Sequence, residues 1–229
     1  MTSRRFIRLR ASQRDSSIYR IIPADRLLEL LETRSGVLVR PAKWEDPWES
    51  LFDATRAVRS GSTALNPSHP ILYSQCWTRQ YYSDAMWRAY SPTRDGVRIR
   101  STPRRLLESV PTTRDVDAAV IGRVRYVSER LLLATASGSR PSDAFRSCYA
   151  ALMKRRCFAF ESEVRLIVIA RGNQKLYRYT LDPAQLIDQI MLHPLMTTAR
   201  ARALRAAIVA RGFLGAVKRS LLYSAPQLT

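Results

Sequence analysis

The chain has 229 residues, 46% of them hydrophobic and 9% aromatic, which is enough to bury a core and too apolar for a disordered segment. No window approaches the roughly 20 consecutive apolar residues that span a bilayer, and three scattered cysteines without C-x-x-C spacing suggest neither a disulfide framework nor a zinc site but a reducing cytoplasm. The formal charge of +19 comes almost wholly from arginine, since Lys43, Lys154, Lys175 and Lys218 are the only lysines; it fits a polyanionic partner such as nucleic acid or a nucleotide, or else the arginine-rich codons of a GC-rich genome.

The start, M-T-S-R-R-F-I-R-L-R-A-S-Q-R, lacks the apolar core of a secretory signal and reads as a basic arm over residues 1–17, leaving 18–229 as a single α/β domain. S-S-I-Y-R-I-I-P predicts a strand ended by Pro23. In A-D-R-L-L-E-L-L-E-T-R-S-G, Leu27, Leu28, Leu30 and Leu31 form the apolar stripe of a helix, Asp25 and Glu29 suit its first turns, and Gly36 suits its left-handed cap. V-L-V-R predicts a second strand, followed by a loop, P-A-K-W-E-D-P-W-E-S, in which Pro41 and Pro47 disfavour helix. Residues 56–70 collect Ser, Gly, Asn and Pro and read as a mobile connection. I-L-Y-S-Q-C-W-T alternates as a central strand, with Leu72, Ser74, Cys76 and Thr78 on one side and Tyr73, Gln75 and Trp77 on the other.

Ser83 caps a short helix over S-D-A-M-W-R-A-Y-S; G-V-R-I-R-S-T is then a strand, P-R-R-L-L-E-S-V a helix and V-I-G-R-V-R-Y-V a strand. L-L-L-A-T-A-S-G-S-R-P-S predicts a second long loop. Ser142 next caps a helix whose buried face is Phe145, Cys148, Tyr149, Leu152 and Met153. E-V-R-L-I-V-I-A-R and K-L-Y-R-Y-T-L, separated by G-N-Q, predict a hairpin. Q-I-M-L-H-P adds a strand, and a helix over about residues 198–211, closed by Gly212, precedes a last extended segment, V-K-R-S-L-L. The order predicts an α+β fold, a mixed and largely antiparallel sheet, split in places and flanked by helices.

Glu161 and Glu163, in F-E-S-E-V-R, would open a strand on one face, roughly 6–7 Å apart. Two carboxylates beside an apolar strand repel and are partly desolvated, which raises one toward the range of a general acid or base, while Arg165 on the same face can neutralise the other. The same pattern also suits a surface ladder of charges on an edge strand. A second acidic cluster, Glu45, Asp46 and Glu49, lies among Trp44, Trp48 and Phe52, where it lines a site or caps a loop that plugs the core. Trp77, Trp87 and Tyr90 are core aromatics or a wall for a flat base or nicotinamide ring. His69 and His193 are the only histidines, which leaves few parts for a catalytic triad or a histidine metal site, and Cys76 and Cys157 read as small core residues. Neither G-x-x-x-x-G-K-[ST] nor G-x-G-x-x-G occurs.

Taken in order, Y-R (19, 20), E-D-P-W-E (45–49), S-Q-C-W-T (74–78), A-M-W-R-A-Y with D-G-V-R-I (85–99), K-R-R-C-F-A-F-E-S-E-V-R (154–165) and I-M-L-H-P resemble a bacterial family, domain of unknown function 2971, over about residues 18–222. Its members look like accessory or defence-associated proteins. The chain also resembles ADP-ribosyltransferase domains, which carry an arginine or histidine on an early strand, a Ser/Thr motif on a middle strand and a late E-x-E whose second glutamate is catalytic. That likeness implies an ADP-ribosyltransferase-like fold with NAD as co-substrate, bound among Tyr19, Arg20, Ser74, Trp77, Thr78, Trp87 and Tyr90. Arg20 would hold a pyrophosphate or ribose, Ser74 or Thr78 would bridge to the glutamate, and Glu163, beside Glu161, would stabilise the cationic ribose as nicotinamide leaves. The acceptor would be nucleic acid or protein, in bacterial defence or toxin activity, with no resident metal. S-Q-C-W-T departs from the family's S-T-S. Two other readings stand beside it: a magnesium nuclease using Asp46, Glu49, Glu161 and Glu163, and a non-catalytic basic module that binds nucleic acid or nucleotide.

Overall fold

The computed structural model describes residues 3–49, 51, 71–138, 144–172 and 174–226. The strands are β1 (Ser3–Ile7), β2 (Ile18–Pro23), β3 (Ser35–Val39), β4 (Ile71–Thr78), β5 (Gly96–Ser101), β6 (Val116–Arg123), β7 (Arg125–Val127), β8 (Met153–Arg155), β9 (Glu163–Ala170), β10 (Leu176–Thr180), β11 (Gln189–Leu192) and β12 (Ala216–Arg219). The helices are α1 (Ala24–Thr33), α2 (Asp84–Tyr90), α3 (Pro103–Glu108), α4 (Glu129–Gly138), α5 (Ala144–Ala151), α6 (Pro183–Leu186) and α7 (Thr198–Ala210). This is a mixed α/β fold built on a large, mostly antiparallel sheet flanked by helices. The main path runs β1-β6-β9-β4-β2-β5-β11-β12, with β3 and β10 attached beside β4, and its parallel pairs are the outermost ones, β1 with β6 and β11 with β12.

Why β9 is central is written in its residues. E-V-R-L-I-V-I-A is buried along its whole length, with Val164, Leu166 and Val168 in the main core and Ile167 and Ile169 in a second core on the opposite face. Burying each of these aliphatic side chains contributes roughly 2 kcal/mol. The main core packs the sheet against α1, α3, α6 and α7 through Leu27, Leu31, Leu106, Leu186, Leu204 and Ile208. The second core packs Val120, Ile167 and Ile169 under Cys148 and Leu152 at the end of α5.

The sheet is split where β2 and β3 both approach β4. Among the described residues β4 meets β2 through the single pair Tyr19–Thr78 and β3 through the single pair Val39–Ser74. Between them, Gln75, Cys76 and Trp77 have β9 on one side and no ladder partner on the other. Gln75 closes the far end of the gap, donating from Nε2 to the Val37 carbonyl and accepting at Oε1 from Trp77 Nε1.

Several expectations are corrected. Residues 163–180 form no hairpin: both edges of β9 are taken, by β4 and β6, so β10 crosses to pair antiparallel with β3. The basic segment expected as an arm enters the sheet over Ser3–Ile7, parallel to β6. Gly36 lies within β3, where the ring of Tyr179 occupies the place of a Cβ (2.5 Å), and the left-handed cap of α1 is Arg34 (φ 50°). Most of the loop expected over residues 131–142 belongs to helix α4, and Tyr149, expected on the buried face of α5, is exposed beneath Arg8. The expected connection over residues 56–70, Phe52, His69 and Ser142 lie outside the described residues. Among those described, no helix is long and apolar enough to cross a membrane.

Candidate active site

The gap in the sheet opens into a cleft of about 640 Å³, within the usual range for small-molecule sites. Its walls include Tyr19 and Arg20 from β2, Ser74–Thr78 from β4, Tyr90 from α2, the loop residues Trp44, Glu45, Asp46 and Glu49, and Lys154, Glu161 and Glu163. The early strand, the middle strand and the late E-x-E thus line one cavity. Arg165 lies beneath it, 1% exposed.

Glu161 is not on the strand as expected. It ends a 3-10 turn over Arg156–Glu161, and Ser162, in the left-handed region (φ 47°, ψ 50°), swings the chain into β9 so that Glu163 is its first residue. The turn is pinned by the Thr78 hydroxyl, which donates to the Glu161 carbonyl, and by Arg79 N–H, which donates to the Ser162 carbonyl (3.1 Å). Both glutamates are 4% exposed, so the alternative of a solvated ladder of charges does not hold.

Five side chains meet here. Lys154 Nζ, from β8, lies 2.5 Å from Glu161, 3.2 Å from Glu49 and 3.3 Å from Glu163. Arg165 lies 2.6 Å from both Glu49 and Glu163, and donates to the Ala151 carbonyl. Trp44 packs on the Arg165 guanidinium and Phe158 on the Lys154 ammonium, covering the two cations with aromatic faces. The Tyr90 hydroxyl donates to Glu161 (3.0 Å) and the Tyr126 hydroxyl accepts from the Glu163 N–H (2.8 Å).

The carboxylates differ electrostatically. Burial raises Glu161, and the charge of Glu163 raises it further. Burial acts on Glu163 in the same sense, but Arg165 and Lys154 outweigh it and hold Glu163 below the usual carboxylate range. Glu49 is raised by burial despite Arg165 and Lys154. Burial also pushes the Cys76 thiol and the Tyr90 phenol far up, and the Tyr126 phenol to about 12, so all three stay neutral.

Arg20 is of another kind. It lines the cleft, burial lowers its pKa, and among the described residues it makes no hydrogen bond or ion pair. Of the remaining candidates, Ser74 spends its hydroxyl on the Leu166 carbonyl (2.9 Å), and Asp46 is drawn to Arg155 (3.0 Å). Tyr19 stacks its ring under Arg98. Trp87 is not brought to the cleft: it is buried with Ile21 and Met86, edge-on to His193. Among the described residues, no group of three or more His, Cys, Asp or Glu is placed to hold a metal ion. Lys154 is the residue that sequence reasoning passed over. A signal existed, because this chain uses lysine only four times among 38 basic residues, so a lysine within K-R-R-C-F-A-F-E-S-E-V-R is unusual.

No family model matches the sequence, so the likeness to domain of unknown function 2971 remains one of ordered motifs, and no curated protein matches either. Among solved structures, the chain is similar to Thermus sp. 2.9 DarT in complex with NAD+, with 11% identity and a TM-score of 0.38 over 90% of this chain and 96% of that one. It is similar also to Thermus sp. 2.9 DarT in complex with ADP-ribosylated ssDNA, with 12% identity and a TM-score of 0.40 over 93% and 97%.

Proposed function

We propose that the cleft is a nucleotide site and that the protein is an ADP-ribosyltransferase-like enzyme with NAD as its co-substrate. The observation that carries the reading is the distribution of charge in one cleft. Arg20 lacks a carboxylate partner among the described residues, while Glu49, Glu161 and Glu163 together outnumber the two cations they share. An uncommitted guanidinium suits a pyrophosphate, and a floor short of positive charge suits a nicotinamide cation.

In the reaction so read, the bond between nicotinamide and ribose breaks and its electron pair leaves on nicotinamide. The positive charge that develops on the ribose is stabilised by Glu163, which Arg165 and Lys154 keep ionised in a water-poor site. The acceptor's nucleophile then supplies the pair for the new bond, and its proton passes to Glu161. Thr78 acts by fixing the Glu161 backbone, whereas Ser74, already bonded to Leu166, serves the strand. The arginine excess favours a nucleic acid as acceptor.

Incubation with labelled NAD and nucleic acid or protein tests the reading. Glu163→Gln should lower label transfer by about a hundredfold or more while the circular dichroism spectrum is retained; transfer that survives the substitution rejects the assignment. Magnesium-dependent cleavage indifferent to NAD would favour the nuclease, although among the described residues no group of three or more acidic, His or Cys side chains is placed to hold a metal ion. Salt-sensitive binding without turnover would favour the module.

A further inference from the structure

Glu49, Glu161 and Glu163 set three carboxylates against Lys154 and Arg165, and none of the five side chains is more than 6% exposed. The other titratable groups packed around them do not restore the balance. Cys76 from β4, Tyr90 from α2 and Tyr126 from β7 stay neutral, Arg155 from β8 is committed to Asp46 and Glu129, and Arg20 from β2 lines the same cleft but among the described residues makes no ion pair with any of the three carboxylates. Fully ionised, the cluster would keep one unmatched negative charge out of water, which burial strongly disfavours. Either a proton or an incoming cation removes it.

Glu49 is the one carboxylate of the three that the F-E-S-E-V-R run does not supply. It comes from the Pro47–Glu49 turn, far from Glu163 in sequence, and its ion pairs to the cluster run through Lys154 (3.2 Å) and Arg165 (2.6 Å). Without it, two carboxylates would match two cations. Glu161 and Glu163, meanwhile, face the same ammonium, 2.5 Å and 3.3 Å from Lys154 Nζ, which holds the two acids side by side where one proton can be shared between them.

Resting on the nucleotide reading above, we propose that Glu49 is a positioning residue: through Lys154 and Arg165 it obliges the empty site to hold one proton between Glu161 and Glu163, and a cationic substrate displaces that proton on binding. The incoming charge then supplies the missing match. Glu163 is fully ionised, and Glu161 becomes free to receive a proton, when the nicotinamide is in place. The linkage also favours a nicotinamide bearing its positive charge over the neutral, reduced form.

Calorimetric titration with carba-NAD+, which keeps the nicotinamide charge but cannot form the ribosyl cation, tests this in two buffers of different ionisation heat. The wild-type protein should release about one proton per molecule bound, and its affinity should tighten by about tenfold per pH unit while the pair titrates. Glu49→Gln should bind with proton release near zero and a flat pH profile, and Glu49→Asp should restore the release. Glutamine that still releases the proton overturns the role of Glu49, because a purely structural role moves affinity and not proton count. Wild-type binding without proton release overturns the proposal and leaves the nucleotide reading standing; absence of binding overturns that reading and the proposal with it. The wild-type titration decides even where a variant fails to fold.

Discussion

Lys154 Nζ lies 2.5 Å from Glu161 Oε2, and neither side chain is more than 6% exposed. The same ammonium reaches Glu49 and Glu163, so one cation on β8 ties together a proline-bounded turn, a 3-10 turn and the central strand. Lys154→Met would leave three buried carboxylates with Arg165 alone. The loss should be about 3–5 kcal/mol, the cost of stranding buried charge, read as a lower urea midpoint at unchanged m-value. A change under about 1 kcal/mol is the size expected of a solvated pair and would contradict the burial seen here.

Glu161→Gln, at the other end of the same contact, should act in the opposite direction. A carboxyl group whose folded pKa lies above its unfolded value, here raised from 4.5 first by burial and then by Glu163, takes stability from the fold as pH rises past the unfolded value. Glutamine removes that cost and leaves two carboxylates for two cations. The variant should match the wild type near pH 4 and become the more stable by about 1 kcal/mol between pH 5 and 8. Thermal unfolding across that range checks the sign; a variant that loses ground as pH rises would place the cluster's proton elsewhere.

These two residues also show what was legible in the sequence and what was not. The apolar run of V164–A170, the alternation of β4 and the caps Ser83 and Gly212 express local physics, and each element forms where the pattern places it. The partner of a strand is not a local property. Nothing in L-Y-R-Y-T says that both edges of β9 are occupied, so the G-N-Q spacing suggested a hairpin that the sheet has no room for. In the site, Glu161, Glu163 and Arg165 were legible as a charged triplet and Glu49 as part of an acidic loop. The convergence of the three glutamates on Lys154 was not, because it depends on the turn at Ser162 and on the loop folding back over β8 and β9. Trp87 shows the reverse: an aromatic in a suggestive motif that only packs α2 against β2.

Arg20 separates binding from stability. Its guanidinium is desolvated, has no ion pair among the described residues and faces no packed carboxylate that would be stranded by its removal. Arg20→Met should therefore leave thermal unfolding unchanged or raise stability by up to about 1 kcal/mol. If the guanidinium holds a pyrophosphate, the same substitution should weaken carba-NAD+ binding by about tenfold to a hundredfold, the range expected for a hydrogen bond to a charged group. Weakened folding with unchanged binding would assign Arg20 to the core.

Ser162 couples backbone conformation to the reacting pair. A residue other than glycine in the left-handed region bears a steric cost of about 1–2 kcal/mol, and Ser162 is held there by its N–H to the Ala159 carbonyl (3.2 Å) and its carbonyl to Arg79 N–H. Ser162→Gly should relieve that cost, raising stability by about 0.5–1 kcal/mol with the carboxylate geometry kept. Ser162→Val adds a β-branched side chain that disfavours the same turn and should lower stability by about 1–3 kcal/mol. Its effect on label transfer should be larger than that loss accounts for, because an extended residue 162 would pull Glu161 toward the spacing of a regular strand and away from Lys154 and the Tyr90 hydroxyl. Equal activity of the valine and glycine variants, measured where both are folded, would show that the turn shapes the chain without shaping the site.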